Sequence, residues 1–141
     1  MFIRLTPALS VSQQIAPEEC AIAGAQGFAA IVCNRPDDET PGQPSAAIIA
    51  AAATAAGLRF AHIPVDARGI DAGQIGAMAA VLAAGGPVLA YCRSGTRSTN
   101  VWALAEASRG GDPDAIVAAA ESGGYDVGGM LPMLHRLAAK A

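Results

Sequence analysis

Two short apolar runs, Phe28–Cys33 and Pro87–Tyr91, have the length of buried strands, Leu58–Ile63 is a third strand, and each follows a helical stretch that stops at glycine. Those stops are Gly27 after Ala16–Gln26, Gly57 after Ser45–Ala56, and Gly85-Gly86 after Asp71–Ala84. A run that is apolar at every position has no solvent face, so the two apolar strands must be covered on both sides. Strands separated by helices cannot form hairpins, which leaves a parallel sheet with helices on both faces. The expected class is α/β, with a central, mostly parallel sheet of roughly four to five strands.

Local signals sharpen this order. Pro17, Glu18 and Glu19 suit a first helical turn, and Asp71 suits a helix N-cap. Phe2–Leu5 and Leu9–Val11 add short strands around a turn at Thr6-Pro7. Helices are expected at Ser98–Ser108, from Asp112-Pro113 onward, and within Asp126–Lys140. Asn34–Pro44, with Pro36, Pro41, Pro44 and the acids Asp37, Asp38 and Glu39, is a loop of functional length.

Composition removes several function classes. At 141 residues the chain is expected to be one domain, 1–141, and with 52% hydrophobic and 15% charged residues it is no disordered chain. Its aromatic residues are only three Phe, two Tyr and one Trp, so the core must come from Ala, Ile, Val and Leu. The net charge is -3 and the nine Lys and Arg are scattered, which argues against nucleic acid as a partner. Cys20, Cys33 and Cys92 make no CxxC pair, and three cysteines cannot all pair within one chain. No His, Cys or acidic residues fall at metal-ligand spacing, so neither metal nor cofactor is expected. Arg4 and Pro7 interrupt any signal-peptide core, and the longest apolar run, Ala46–Ala56, is too short to span a bilayer. The expectation is a reduced, soluble, cytoplasmic protein with no membrane partner.

In parallel sheets ligands sit at the carboxyl ends of the strands, which directs attention to the loops after Cys33, Ile63 and Tyr91. The third carries the chemistry. Cys92, Arg93, Ser94, Gly95, Thr96, Arg97 and Ser98 leave a buried strand and open a helix. Small residues and a glycine let successive N–H groups turn inward as an anion nest, and the helix N-terminus adds its positive end. Arg97 can fork onto two oxygens of a bound anion. A cysteine at the base of such a cup is expected as a thiolate, a nucleophile facing an anion site.

This loop resembles the active loop of single-domain rhodaneses, which transfer sulfane sulfur. Leu9-Ser10-Val11-Ser12-Gln13, Asn34-Arg35-Pro36-Asp37 and His62-Ile63-Pro64-Val65 are instead similar to the phosphatase-like domain of β-lactamase-hydrolase-like proteins. That small bacterial family has the dual-specificity tyrosine phosphatase fold and is commonly labelled a sulfur transferase. The resemblance implies a tyrosine-phosphatase-like fold and a metallo-β-lactamase-fold hydrolase as partner. It also puts Asp66 where dual-specificity phosphatases keep a general acid, and Ser98 where they keep a hydroxyl beside the thiolate. Asp66 reads equally as an acidic turn residue before Arg68, and Ser98 as a helix N-cap.

Tyrosine phosphatases separate the cysteine and arginine by five residues; here Cys92 and Arg97 are separated by four, and Tyr91 precedes the cysteine. The shorter cup favours sulfur transfer through a Cys92 persulfide, with a small anionic sulfur donor and a thiol acceptor. The alternatives are a phosphatase acting on a phosphate ester through a phosphocysteine, and a binding module without turnover. Arg35 and Asp37 are expected in structural pairs or turns near the mouth, His62 at a satisfied rim position, His135 in solvent, and Trp102 against the sheet.

Overall fold

The computed structural model describes residues 1–141. In chain order the elements are β1 (Phe2–Thr6), β2 (Leu9–Ser12), α1 (Glu18–Ala25), β3 (Ala30–Cys33), α2 (Ala46–Ala55), β4 (Arg59–His62), α3 (Ala72–Ala83), β5 (Val88–Tyr91), α4 (Thr96–Ser108), α5 (Pro113–Ser122), a 3-10 turn at Gly128–Met130, and α6 (Leu131–Ala139). The five strands lie in the order β1-β2-β5-β3-β4. Only β1 is antiparallel, to β2; the pairs β2–β5, β5–β3 and β3–β4 are parallel. The five-stranded, mostly parallel sheet flanked by helices is the α/β class expected from the sequence.

The central strands explain the two layers. In β5, Val88 and Ala90 point to one face, while Leu89 and Tyr91 point to the other. In β3, Ala30 and Val32 divide from Ile31 and Cys33 in the same way. This is the period of two expected of a strand, here apolar on both sides. Helices α1 and α2 cover one face with Cys20, Ala23, Ile49 and Ala53. The longer second half of the chain covers the other, through Met78, Trp102, Ile116 and Leu134. Trp102 packs in this core, as its helical spacing suggests.

The caps follow the sequence signals. Ser45 Oγ accepts from the Ile48 N–H at 3.2 Å, and Asp112 from the Ala115 N–H at 3.2 Å. Asp71 accepts from the Gln74 N–H at 3.0 Å while Gln74 Oε1 accepts from the Asp71 N–H at 2.6 Å, a reciprocal capping box. No helix is long and apolar enough to cross a membrane.

Three boundaries differ from expectation. Phe28 and Ala29 fall outside β3, because Phe28 turns to meet Phe2 edge-on at 5.9 Å between ring centres. The final stretch is divided into the 3-10 turn and α6. Helix α4 begins at Thr96, not Ser98, because Gly95 serves as its N-cap with φ of 91°. That left-handed conformation suits glycine and turns the chain into the helix two residues early. As a result, Arg97 and Ser98 lie within the first turn.

Leu89 has no exposed surface and sits in the strand at the centre of the sheet. Leu89→Ala is expected to cost about 2–5 kcal/mol through a cavity, whereas Asp71→Ala should cost about 1 kcal/mol through a lost cap. Urea midpoints of the two variants check this ordering.

Candidate active site

The carboxyl ends of β5, β3 and β4 bring three loops together: 92–98, 34–44 and 63–70. Cys92 leaves β5 with its N–H on the Ser12 carbonyl at 3.3 Å, and the Gln14 N–H holds the Arg93 carbonyl at 3.4 Å. The Cys92 residue has no exposed surface. The Gly95 N–H donates to its sulfur at 3.1 Å. Burial by itself pushes the Cys92 thiol up, but the N–H groups of Ser98, Ser94, Gly95 and Arg97 together outweigh burial and bring it below the ordinary 9.0. Hydrogen bonds to the charged form favour that form.

The other cysteines lack this ring. Burial raises Cys20, with Glu19 and Glu18 adding to the effect. Burial also raises Cys33, whose sulfur donates to the Arg35 carbonyl at 3.3 Å.

The remaining loop residues divide by role. Arg93, Ser94 and Thr96 are exposed. The Thr96 N–H turns to Ser94 Oγ at 3.4 Å, so it lies apart from the amides that act on the sulfur. Ser98 is not a cap, because Gly95 takes that place, and its buried hydroxyl has no hydrogen-bond partner. Ser98 acts on Cys92 through its amide. The helix is closed behind the loop by Thr99, whose N–H and hydroxyl both donate to the Gly95 carbonyl, at 2.9 and 2.8 Å.

Arg97 is held by a carboxylate that the sequence reading did not single out. Its Nη1 and Nη2 donate to Glu39 Oε2 and Oε1 at 2.7 and 2.8 Å, and Nη1 also donates to the Val65 carbonyl at 2.9 Å. Arg35, only 4% exposed, donates from Nε to the same Glu39 Oε1 at 2.9 Å. Its two amino groups donate to Gln14 Oε1 at 3.0 Å and Thr40 Oγ1 at 3.3 Å. Arg35 is thus structural, as expected, and so is Asp37, which accepts from the Ala46 N–H at 2.8 Å. The bond from Arg97, with Arg35 assisting against burial, draws Glu39 from 4.5 down to about 2.

Asp66 lies in the 63–70 loop, exposed, and accepts from the Arg68 guanidinium at 2.8 Å. The bond from Arg68 holds the Asp66 carboxyl below its ordinary range and favours the carboxylate. Asp66 and Arg97 line one cavity of about 450 Å³, walled by Ile70, Leu104, Met130 and Met133. His62 Nε2 shares a hydrogen bond with the Arg35 carbonyl at 3.0 Å, and His135 is exposed.

Residues 2–109 match the family described as β-lactamase hydrolase-like protein, phosphatase-like domain. The chain belongs to that family. A β-lactamase hydrolase-like protein of Agrobacterium fabrum is 38% identical over 109 residues, covering 77% of this chain and 25% of the relative. The chain therefore spans about a quarter of that curated relative's length. Among solved structures, a candidate phosphatase of Neisseria meningitidis is 31% identical with a TM-score of 0.78, covering 96% of each chain. The P. aeruginosa TpbA variant in complex with pTyr is 19% identical with a TM-score of 0.63, covering 99% of this chain and 91% of that one. At that identity the likeness is one of fold.

The family match contains the cysteine loop, Glu39 and Asp66, while Tyr125 lies beyond it. Tyr125 is the second residue that the sequence reading missed. Its hydroxyl donates to the Ser94 carbonyl at 2.9 Å, and a Cβ on Gly95 would overlap that hydroxyl. Burial, followed by the nearby Cys92 charge, raises the Tyr125 hydroxyl.

Two measurements follow from the geometry. The pH midpoint for alkylation of Cys92 should lie below 9.0 and those of Cys20 and Cys33 above it, read by peptide mass spectrometry. Gly95→Ala combines a left-handed φ with the Tyr125 overlap, and should raise the Cys92 midpoint by displacing the ring of amides. Equal midpoints for all three thiols in the unaltered protein would remove the claim that the loop activates one of them.

Proposed function

We propose that this chain is a cysteine-dependent phosphatase acting on phosphate monoesters. The observation that carries the reading is Cys92: a buried sulfur drawn towards thiolate by four loop amides at the start of α4, with Arg97 beside it. Family membership and the phosphatase-like relatives favour this reading over the sulfur transfer that the loop spacing suggests. The Cys92 thiolate attacks phosphorus and the ester oxygen departs, taking a proton. Water then cleaves the phosphocysteine, releasing inorganic phosphate and restoring the thiolate. The amides of Ser94, Gly95, Arg97 and Ser98 hold charge as it builds on the phosphoryl oxygens. Arg93 and Thr96 contribute shape to the loop, not charge to the sulfur. The pTyr held by the TpbA variant suits the same chemistry.

Asp66 is the acid in this reading. It faces a cavity shared with Arg97, but Arg68 holds it ionised. A general acid must carry its proton, so Arg68 sets the upper pH limit for esters with basic leaving groups. Arg68→Met should raise the pKa of Asp66 and move the alkaline limb of kcat/KM to higher pH, while Asp66→Asn should slow alkyl phosphates more than nitrophenyl phosphate. An unmoved limb in Arg68→Met would remove Asp66 from the mechanism.

One observation favours the second reading. Only four residues separate Cys92 from Arg97, a spacing that suits a persulfide terminus better than three equatorial phosphate oxygens. In that reading the Cys92 thiolate takes sulfane sulfur from thiosulfate, sulfite leaves, and an acceptor thiol discharges the persulfide. Intact mass after thiosulfate, followed by nitrophenyl phosphate turnover, separates the two. The phosphatase reading expects turnover lost in Cys92→Ser and no reversible gain of one sulfur; a sulfur adduct without turnover overturns it. The length of the curated relatives also keeps open a hydrolase domain as partner, a proposal carried by the family name alone.

A further inference from the structure

Arg97 has five N–H donors, and counting them decides what Glu39 is for. Nη1 spends both protons, on Glu39 Oε2 at 2.7 Å and the Val65 carbonyl at 2.9 Å. Nη2 spends one, on Glu39 Oε1 at 2.8 Å. The two that remain, Nε–H and the second Nη2 proton, lie side by side along the other edge of the guanidinium. Arg97 shares the loop 92–98 with Cys92, and the Cys92 charge adds to that of Glu39 in pushing the guanidinium up. Glu39 therefore takes the end of the fork and leaves a two-donor edge for an anion.

We propose that Glu39 is a positioning residue that fixes which edge of Arg97 faces Cys92. It is not a stand-in for substrate. Its two bonds take the Nη1–Nη2 end of the fork and leave the Nε–Nη2 edge open. The brace is anchored from behind. Glu39 Oε1 also accepts from Arg35, and Arg35 is buried with its other two nitrogens tied to Gln14 and Thr40. Gln14 in turn holds the loop itself, through its N–H on the Arg93 carbonyl. A closed circuit thus runs from the cysteine loop through Gln14, Arg35, Glu39 and Arg97 back to the same loop. Two bonds between a carboxylate and a guanidinium fix the plane of the fork as well as its position.

The inference rests on the anion site of the phosphatase reading, and its test does not require turnover. Alkylation of Cys92 by iodoacetamide is followed against pH in the full chain and in Glu39→Gln and Glu39→Ala, with and without inorganic phosphate. The sign of the shift is diagnostic. If Arg97 stayed in place, removing a neighbouring negative charge would lower the thiol midpoint. If Arg97 swings away, the thiolate loses its cation and the midpoint rises.

The brace expects a rise in both variants and phosphate protection weakened by roughly tenfold to a hundredfold, since small displacements at a reacting centre carry penalties of that order. An unchanged or lowered midpoint overturns it, and so does tighter phosphate protection, the result expected of a substrate mimic. Glu39→Asp keeps the charge but is too short to span both nitrogens, so it should fail to restore phosphate protection. Full recovery there overturns the geometric claim. Absence of phosphate protection in the unaltered protein would count against the phosphatase reading, while the midpoint shift would still decide the brace.

Discussion

A sulfur with no exposed surface, whose thiolate form the loop amides favour, is the constraint around which this end of the molecule is arranged. Burying a charge is costly unless hydrogen bonds and an opposite charge replace the lost water. Here the replacement comes mostly from backbone amides, which need no side-chain ordering and carry no net charge. They can converge only because β5 ends at Tyr91 and α4 begins at Thr96, with four residues between them. Gly95 makes that short passage possible, since its φ of 91° turns the chain abruptly into the helix. The central position of β5 then ensures that loops from β3 and β4 border the same point.

The fold was largely legible in the sequence because its signals are local. Apolar runs, glycine stops, the cap Asp71 and the helix openings at Ser45 and Asp112 each report on a few neighbouring residues. The two-sided strands Phe28–Cys33 and Pro87–Tyr91 announced helices on both faces. The cysteine loop was legible for the same reason, being a continuous stretch between a strand and a helix. Boundaries failed where a tertiary choice intervened. Phe28 prefers Phe2 to continuing β3, and Gly95 displaces Ser98 as the cap.

The supporting residues were not legible, because nothing local marks them. Glu39 is one of three consecutive acids, and only folding brings it 58 positions along the chain to Arg97. Asp37 in the same run caps a helix instead. Tyr125 reaches the loop from 31 positions away, through the turn after α5. Its partner is a carbonyl, which every residue has, so no motif could record the pair. Long-range pairing of ordinary groups is invisible to spacing, yet it determines how the visible motif is held.

The charge balance around the sulfur refines what the site can bind. Arg35 and Arg97 contribute two positive charges, and Glu39 and the Cys92 thiolate contribute two negative ones, so the cluster is neutral before any ligand arrives. Net attraction for an anion therefore cannot come from an excess of cations. It must come from directed donors: the loop amides and the Arg97 donors that Glu39 and Val65 leave unused. Such a site discriminates by shape more than by charge, because an anion that misses the donors meets no compensating field. The substrate choice between a tetrahedral phosphoryl group and a terminal persulfide is thus a question of how many acceptor atoms the four amides and one guanidinium edge can reach together. The four-residue spacing matters for this reason: it fixes the width of a ring whose charge is already balanced.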